Sequence, residues 1–253
     1  MSAPVQRAIL FRFHKEFDVC RGRIALLRRL NPGLPVYGMY GGGPEGLPEA
    51  AKLPLDDFYE VPSEDSHWKW RNGDLCVRLW FKDRGRSFDF DVLHLVEWDL
   101  LILDPLEQVF AHVNDGVGLT AIRPIADMIK EDWEWVTQTM GSWEWKKLNE
   151  FVRAELGWEG ESFGAAFPAA SFSRVFLERY AAIRPPGYCN DEVRVPLFAL
   201  AFGMTLHDTG IQYGPYFDCD GNAVDEAALR RGIAEGVRAF HPVYFPVDPA
   251  SLV

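Results

Sequence analysis

The amino-acid sequence predicts an α/β fold in which a mostly parallel, twisted sheet is flanked by helices. Between residues 8 and 40, a short apolar segment, a helical apolar pattern and a second apolar segment follow one another. This order is typical of a βαβ unit with parallel strands and a right-handed crossover. Residues 92–103 then form a nearly continuous apolar run interrupted by two acids, which indicates a strand buried on both faces.

The elements of the first half follow from apolar spacing and stop signals. Ala8–Phe11 is predicted to be a strand, and a helical pattern from Val19 to Leu30 ends at the stop signal Asn31-Pro32-Gly33. A second strand is expected over residues 35–40. We expect helices over residues 73–82 and 106–113, on either side of the buried strand that begins at Val92.

The second half contains four helix starts. They are predicted at Ser142, at Ser171 or Ser173, after Asn190-Asp191-Glu192 and at Asp225, and an extended piece is expected over residues 239–245. Pro196 is expected in the first turn of the third helix, which would leave Asp191 and Glu192 just outside that helix. Without a repeat or a long linker, the sequence predicts a single domain over residues 1–253.

Composition and charge exclude several classes of partner. The chain carries 26 basic and 37 acidic residues, a net charge of −11, which argues against a nucleic-acid backbone as the main partner. The four cysteines form no C-x-x-C pair and are predicted to be free thiols in a reducing compartment. Residues 1–17 contain an apolar stretch of only four residues, and no segment approaches a spanning length, so we expect a cytoplasmic protein with no membrane span.

Two carboxylates, those of Glu97 and Asp99, interrupt the apolar run. Residues at i and i+2 of an extended chain point to the same side. Burying both costs several kcal/mol per ion unless a positive group compensates, and Mg²⁺ or Mn²⁺ shared with a substrate diphosphate would do so. The carboxyl ends of strands are also where open α/β sheets bind ligands. A tight turn whose acids face water is an equally good interpretation of the two residues alone.

A βαβ unit followed by an apolar strand that ends in an acid-x-acid triplet resembles the GT-A class of nucleotide-sugar glycosyltransferases. Here the triplet is Glu97-Trp98-Asp99, where the family more commonly has Asp-x-Asp. The resemblance implies a DXD-like motif that binds Mn²⁺ or Mg²⁺ and a nucleoside-diphosphate sugar, with Asp99 the more dependable metal ligand and Glu97 the second. It implies metal-dependent transfer of the sugar to a hydroxyl of a carbohydrate or other acceptor.

Two later segments resemble the same family. Residues 190–198 are similar to the acidic segment that opens a helix lining the acceptor site, where a carboxylate of inverting members takes the proton of the acceptor hydroxyl. The resemblance gives this role to Glu192 ahead of Asp191, although acids at a helix start are favourable with the helix dipole alone. Residues 240–243 resemble a short strand whose histidine closes the site, so His241 would be a third metal ligand or a diphosphate contact.

Arg12 and His14 follow the first strand, where the family's fold receives the nucleotide base. The resemblance therefore places them in the donor site, and a solvated strand end is the other interpretation. It also divides the predicted domain into a nucleotide-sugar-binding half, residues 1–115, and an acceptor-binding half, residues 116–253. The cationic residues of segment 67–71 are candidates for diphosphate contacts, although such surface cations usually have no specific role.

Two other functions fit the same pattern. A nucleotidyltransferase on a similar sheet would need a Gly-rich loop after the first strand, and residues 12–16 contain no glycine. A non-catalytic carbohydrate- or nucleotide-binding protein would bind the same ligands without turnover. The paired motifs with Trp133 and Trp135, and with Trp143 and Trp145, are compatible with an acceptor platform, although core packing is expected for at least two of these indoles.

Overall fold

The computed structural model describes residues 4–63, 65–133, 136, 139–219 and 222–248. In these ranges a seven-stranded sheet has the order β3-β2-β1-β4-β7-β6-β8, and a two-stranded sheet pairs β5 with β9. The strands are β1 Arg7–Phe13, β2 Val36–Tyr40, β3 Asp57–Glu60, β4 Val92–Glu97, β5 Leu101–Ile102, β6 Val117–Pro124, β7 Phe163–Ser173, β8 Leu206–Asp208 and β9 Ala239–Phe240.

Helices flank the seven-stranded sheet and provide its apolar cover. They are α1 Phe17–Leu30, α2 Leu47–Ala50, α3 Ser66–Arg71, α4 Gly73–Asp83, α5 Leu106–Val109, α6 Ile125–Lys130, α7 Trp143–Leu156, α8 Arg174–Ala182, α9 Asp191–Ala201 and α10 Glu226–Ala234. None of the helices in the described ranges combines the length and the hydropathy that crossing a bilayer requires.

The first four strands form the parallel part of the sheet. Strand β1 lies between β2 and β4 and is parallel to both, with Arg12 in register with Glu97. Strand β4 is buried along almost its whole length, as the continuous apolar run predicts. Within the described sheet, β3-β2-β1-β4 and β6-β8 are parallel neighbours, while β7 is antiparallel to both β4 and β6. The predicted α/β class with a mostly parallel sheet is confirmed.

Helix α1 ends where the sequence predicts, and Asn31 explains why. Its side chain donates to the Leu27 carbonyl at 2.9 Å and accepts from the Leu106 backbone N–H at 2.7 Å. The first bond adds a second donor to a carbonyl that already accepts from the Asn31 backbone N–H, so one residue closes the last helical turn. The second bond fixes the start of α5, which spans four residues and is shorter than the predicted segment 106–113.

Strand β7 was not predicted, although it occupies an interior position in the sheet. Its eleven residues, FGAAFPAASFS, are buried from the second onward. Alanine and serine carry little strand preference, and an internal proline argues against a central strand. Burial on both faces also removes the polar–apolar alternation that identifies a strand in sequence. The chain is nevertheless paired through this segment, with Ala169 in a left-handed conformation of φ 66°.

The start of α9 corrects one prediction. The helix begins at Asp191, so Asp191 and Glu192 lie in its first turn, and Pro196 lies inside the helix. Proline has no backbone N–H to donate four residues back, which leaves the Glu192 carbonyl without that helical bond. The helix tolerates this loss because its residues from Asp191 to Ala199 are buried against neighbouring elements, and tertiary packing outweighs local preference.

The small second sheet places the C-terminal segment against the end of β4. Strand β9 pairs antiparallel with β5, Leu101 opposite Phe240 and Ile102 opposite Ala239. The Val243 backbone N–H donates to the Asp99 carbonyl at 2.8 Å. Of the predicted extended piece 239–245, only the first two residues are a strand. This pairing nevertheless places His241 beside the turn that carries Asp99.

Candidate active site

One cleft of ≈ 410 Å³ contains the seven residues that the sequence predicts for the catalytic, donor and metal roles. It lies at the carboxyl ends of β1 and β4, beside the start of α9 and the segment after β9. Ligand crevices of open α/β sheets form in this position. The predicted residues that line it are Arg12, His14, Glu97, Asp99, Asp191, Glu192 and His241.

A second cavity of ≈ 490 Å³ continues the first. Arg12, His14 and Glu97 line both, and residues 41–43 line only the second. We call the two cavities the first lobe and the second lobe. Lys69 is buried at the second lobe, and its ammonium donates to the Gly42 carbonyl at 3.0 Å. This cation of the 67–71 segment therefore ties the glycine loop to α3.

Arg12 and Glu97 form an ion pair on the shared wall of the two lobes. The Arg12 Nη1 to Glu97 Oε1 distance is 2.7 Å, and Arg12 Nη2 also donates to the carbonyls of Lys69 at 2.8 Å and Trp70 at 3.2 Å. These bonds fix the guanidinium plane. The positive charge that compensates the partly buried Glu97 thus comes from the protein itself.

Asp99 has a different environment, because β4 ends at Glu97 and Asp99 lies in the turn that follows. Its Oδ1 lies 3.6 Å from His241 Nε2, and that oxygen is buried and accepts no hydrogen bond. Burial raises the pKa of the Asp99 carboxyl, His241 opposes this rise, and Glu97 adds to it. An acceptor with no partner in a buried position is costly unless a ligand completes it.

The tautomer of His241 follows from its other contact. Nδ1 lies 2.5 Å from the Asp218 carbonyl, and because a carbonyl only accepts, Nδ1 carries the proton. Nε2 is then the ring nitrogen that faces Asp99. A histidine whose second ring nitrogen donates to a carbonyl or carboxylate is the usual form of a metal-binding imidazole.

The donor set fits a divalent cation through two residues. Asp99 offers an unpartnered carboxylate oxygen and His241 an imidazole nitrogen, ligands that suit Mn²⁺. Glu97 is already paired with Arg12. Within the described ranges, no group of three or more His, Cys, Asp and Glu side chains converges to hold a metal ion. The structure therefore brings Asp99 and His241 together, but it does not join Glu97 to them as a third ligand.

Asp191 connects α9 to α4. It is 6% exposed, and its Oδ2 accepts from the Gly73 backbone N–H at 2.9 Å. A Cβ on Gly73 would lie 2.6 Å from Arg12 Nη1 and 2.7 Å from Asp191 Oδ2, so only glycine fits this close approach. Burial raises the pKa of Asp191 to about 7, with Asp74 adding to the rise and Arg12 and Arg194 opposing it.

Glu192 is equally buried, and its Oε2 accepts no hydrogen bond. Burial raises the pKa of this carboxyl to about 8, and the charge of Asp191 adds to the rise. Polar groups of Trp133, Cys219 and Asn190 partly oppose it. A carboxyl with this pKa changes protonation state near neutral pH, which is the property required of a general base or acid.

A buried network below the cleft holds these acids in place. Arg194 makes two bonds to Asp74, Nη2 to Oδ1 at 2.5 Å and Nε to Oδ2 at 2.9 Å, and the Tyr180 hydroxyl donates to Asp74 Oδ2 at 2.5 Å. Arg194 Nη1 also donates to the carbonyls of Tyr188 and Cys189. The ion pair joins residues 120 positions apart, and no local pattern in the sequence signals it.

Sequence reasoning missed Lys15 and Tyr244, which line the first lobe together with Arg71 of the 67–71 segment. The Lys15 ammonium lies 5.2 Å from the centre of the Trp98 ring and 5.9 Å from that of Tyr244, within the range of cation–π attraction. The rings of Trp98 and Tyr244 stack at 5.5 Å. The position of Lys15 directly after His14 was the one available signal.

The tryptophans of the paired motifs divide between core and surface. Trp133 is buried and packs 4.9 Å from Tyr213, and Trp145 is partly buried against the core. Trp143 is 63% exposed. Trp135 lies outside the described residues. Core packing therefore accounts for Trp133 and most of Trp145, as predicted.

Comparisons with known proteins give distant structural matches. No protein-family model and no curated protein sequence matches the chain. The galactosyltransferase LgtC, solved in complex with donor and acceptor sugar analogs, is similar over 79% of this chain and 72% of its own, at 11% identity and a TM-score of 0.43. Mouse xyloside xylosyltransferase 1 in its apo form is similar over 94% of this chain and 97% of its own, at 11% identity and a TM-score of 0.44. The case for an activity of this chain rests on the geometry of the cleft.

Proposed function

We propose that this chain transfers a sugar from a nucleoside-diphosphate donor to an acceptor hydroxyl in the two-lobed cleft. One observation carries the proposal: the seven residues predicted from the sequence line a single lobe, and two of them, Asp99 and Glu192, each present a buried carboxylate oxygen without a hydrogen-bond partner. Two such oxygens in one cleft indicate a ligand with complementary groups for both.

The donor would lie along the first half of the chain, residues 1–115, which contributes Arg12, His14, Glu97 and Asp99. Asp99 and His241 would hold Mn²⁺ or Mg²⁺, which would neutralise the charge of the leaving diphosphate when bound. Lys15 adds positive charge to the same lobe. Arg12 pairs with Glu97 and also opposes the rise in the pKa of Asp191, so its positive charge acts on both the donor and the acceptor side.

The acceptor would meet the second half, residues 116–253, at the start of α9. Glu192 Oε2 accepts a hydrogen bond from the acceptor hydroxyl and takes its proton as the new glycosidic bond forms. Since the pKa of Glu192 is raised to about 8, the active ionised form increases as pH rises from 7 to 9. Asp191, fixed by the Gly73 N–H, positions the helix start and is the second candidate for the base.

Thermal unfolding tests the donor part of the proposal. The wild type and Asp99→Asn are heated with a panel of nucleoside diphosphates and nucleotide sugars, with and without Mn²⁺. A ligand at about 100 times its dissociation constant adds roughly 2.7 kcal/mol, which raises Tm by about 5–10 °C for a domain of this size. We expect one nucleotide family to give a Mn²⁺-dependent shift that Asp99→Asn loses. No shift with any nucleotide would overturn the donor assignment.

Product formation tests the transfer itself. With the nucleotide sugar that gives the largest thermal shift, release of nucleoside diphosphate is followed in the presence of mixed carbohydrate acceptors. We expect Glu192→Gln to keep the thermal shift while turnover falls at least 100-fold, because a general base contributes about 10²–10⁴ in rate. Normal turnover by both Glu192→Gln and Asp191→Asn would refute the base assignment. Nucleotide binding without any turnover by the wild type would favour a non-catalytic binding protein.

A further inference from the structure

Beside the first lobe, α7 begins with an exposed tryptophan. Trp143 is 63% exposed, and its ring lies 5.1 Å from that of Tyr188 at an interplanar angle of 74°. We call this pair the aromatic shelf. Ser142 caps the helix by accepting from the Trp145 N–H, so Trp143 stands at a fixed helix start. An indole exposed to this extent leaves a flat apolar surface open to solvent.

The aromatic shelf is tied to the cleft by direct bonds. Glu144, the next residue after Trp143, forms an ion pair with Arg71 and accepts from the Cys189 N–H at 2.9 Å. Arg71 lines the first lobe. The Tyr188 carbonyl accepts a hydrogen bond from the buried Arg194 at 2.9 Å. Tyr188 precedes Asn190, which lines the lobe, by two residues. The shelf is therefore held against the side of the lobe that contains the acids of α9.

The adjoining wall of the first lobe offers hydrogen-bond acceptors to a ligand. Glu192 Oε2 and Asn190 Oδ1 are buried acceptor atoms without partners, in residues that are each 6% exposed. A ligand that satisfies both must bring donors such as hydroxyl groups. Trp70 lines the same lobe beside Arg71 and is 52% exposed. Hydroxyl donors on a ring with flat C–H faces are the chemistry of a carbohydrate, whose apolar faces pack on aromatic rings.

We propose that the aromatic shelf binds the second sugar ring of a neutral oligosaccharide acceptor, whose terminal ring lies in the first lobe. The placement of the terminal ring rests on the proposed function. The shelf prefers an uncharged glycan because Glu144 already compensates the nearby Arg71. The chain would therefore extend a glycan of two or more rings in preference to a single sugar.

Isothermal titration calorimetry tests this on the full chain. The probes are neutral mono-, di- and tetrasaccharides of α- and β-linked glucose, galactose and mannose, with the nucleoside diphosphate that gives the largest thermal shift, or without nucleotide if none does. The proteins are the wild type, Trp143→Ala and the control Val175→Ala, which removes a side chain 61% exposed on α8 and away from both lobes. We expect at least one disaccharide to bind about tenfold more tightly than its terminal monosaccharide, equivalent to about 1.4 kcal/mol.

Trp143→Ala should abolish the gain from the second ring and leave monosaccharide affinity and the nucleotide thermal shift unchanged. Val175→Ala should keep the gain. The proposal is overturned if the wild type binds no glycan, if affinity does not depend on glycan length, or if Trp143→Ala binds as the wild type does. The nucleotide shift is measured on the same samples, so failure of the donor site and failure of the shelf give different results.

Discussion

The buried carboxyl of Glu192 makes a quantitative prediction about stability. Replacing it by glutamine keeps the size of the side chain and removes the ionisable group. Below its pKa the carboxyl of Glu192 is neutral, as the amide is. Above its pKa the folded wild type must hold an ionised carboxylate at a site that is 6% exposed and leaves one oxygen unpartnered, whereas the variant holds no charge there.

The size of the effect follows from the shift in pKa. Burial raises the pKa from 4.5 to about 8, and each unit corresponds to about 1.36 kcal/mol. Because the folded-state pKa is the higher one, the folded protein binds more protons than the unfolded chain between these two values. Wild-type stability is therefore lost as pH rises through this range, by an amount on the order of 3–5 kcal/mol. Glu192→Gln does not lose this contribution.

Urea unfolding at pH 5 and pH 9 measures the difference. We expect the free energies of unfolding of the wild type and Glu192→Gln to be similar at pH 5, and the variant to be more stable at pH 9 by about 3–5 kcal/mol. The control is Glu155→Gln on the exposed surface of α7, which should change stability by less than about 0.5 kcal/mol at either pH. If the free energies of unfolding of the wild type and Glu192→Gln differ by the same amount at pH 5 and at pH 9, the Glu192 carboxyl does not ionise in a buried environment.

Two further variants test how the acids are held. Gly73→Ala places a methyl group within 2.7 Å of Asp191 Oδ2 and of Arg12 Nη1. Urea unfolding should show that the free energy of unfolding falls by about 1–3 kcal/mol. An unchanged free energy of unfolding would mean that α4 and α9 can move apart without cost. Arg194→Met leaves the Asp74 carboxylate buried without its partner, so we expect a loss of about 3–5 kcal/mol, measured in the same way. If Arg194→Met loses less than about 1 kcal/mol, the buried network does not anchor α9.

Local signals in the sequence determined the parallel half of the sheet and most helix starts. The apolar run of β4 and the helical spacing of α1 depend on neighbours a few positions apart, and the Ser142, Ser173 and Asp225 caps each accept from an N–H three residues on. The position of the candidate site also followed from the sequence. Parallel strands end at one edge of a sheet, where ligands bind, so the residues that follow β1 and β4 were expected at that edge.

Only the tertiary structure decided what each site residue contacts. Strand β7 is buried on both faces. Its sequence, FGAAFPAASFS, therefore shows no alternation of polar and apolar residues from which a strand could be predicted. The Arg12–Glu97 pair engages one carboxylate oxygen of Glu97, while the β5–β9 pairing brings His241 to Asp99. The pKa of Glu192 depends on loss of water around it and on the charge of Asp191. Residue types and order are properties of the chain, but distances between remote side chains and the water around them exist only after the chain has packed.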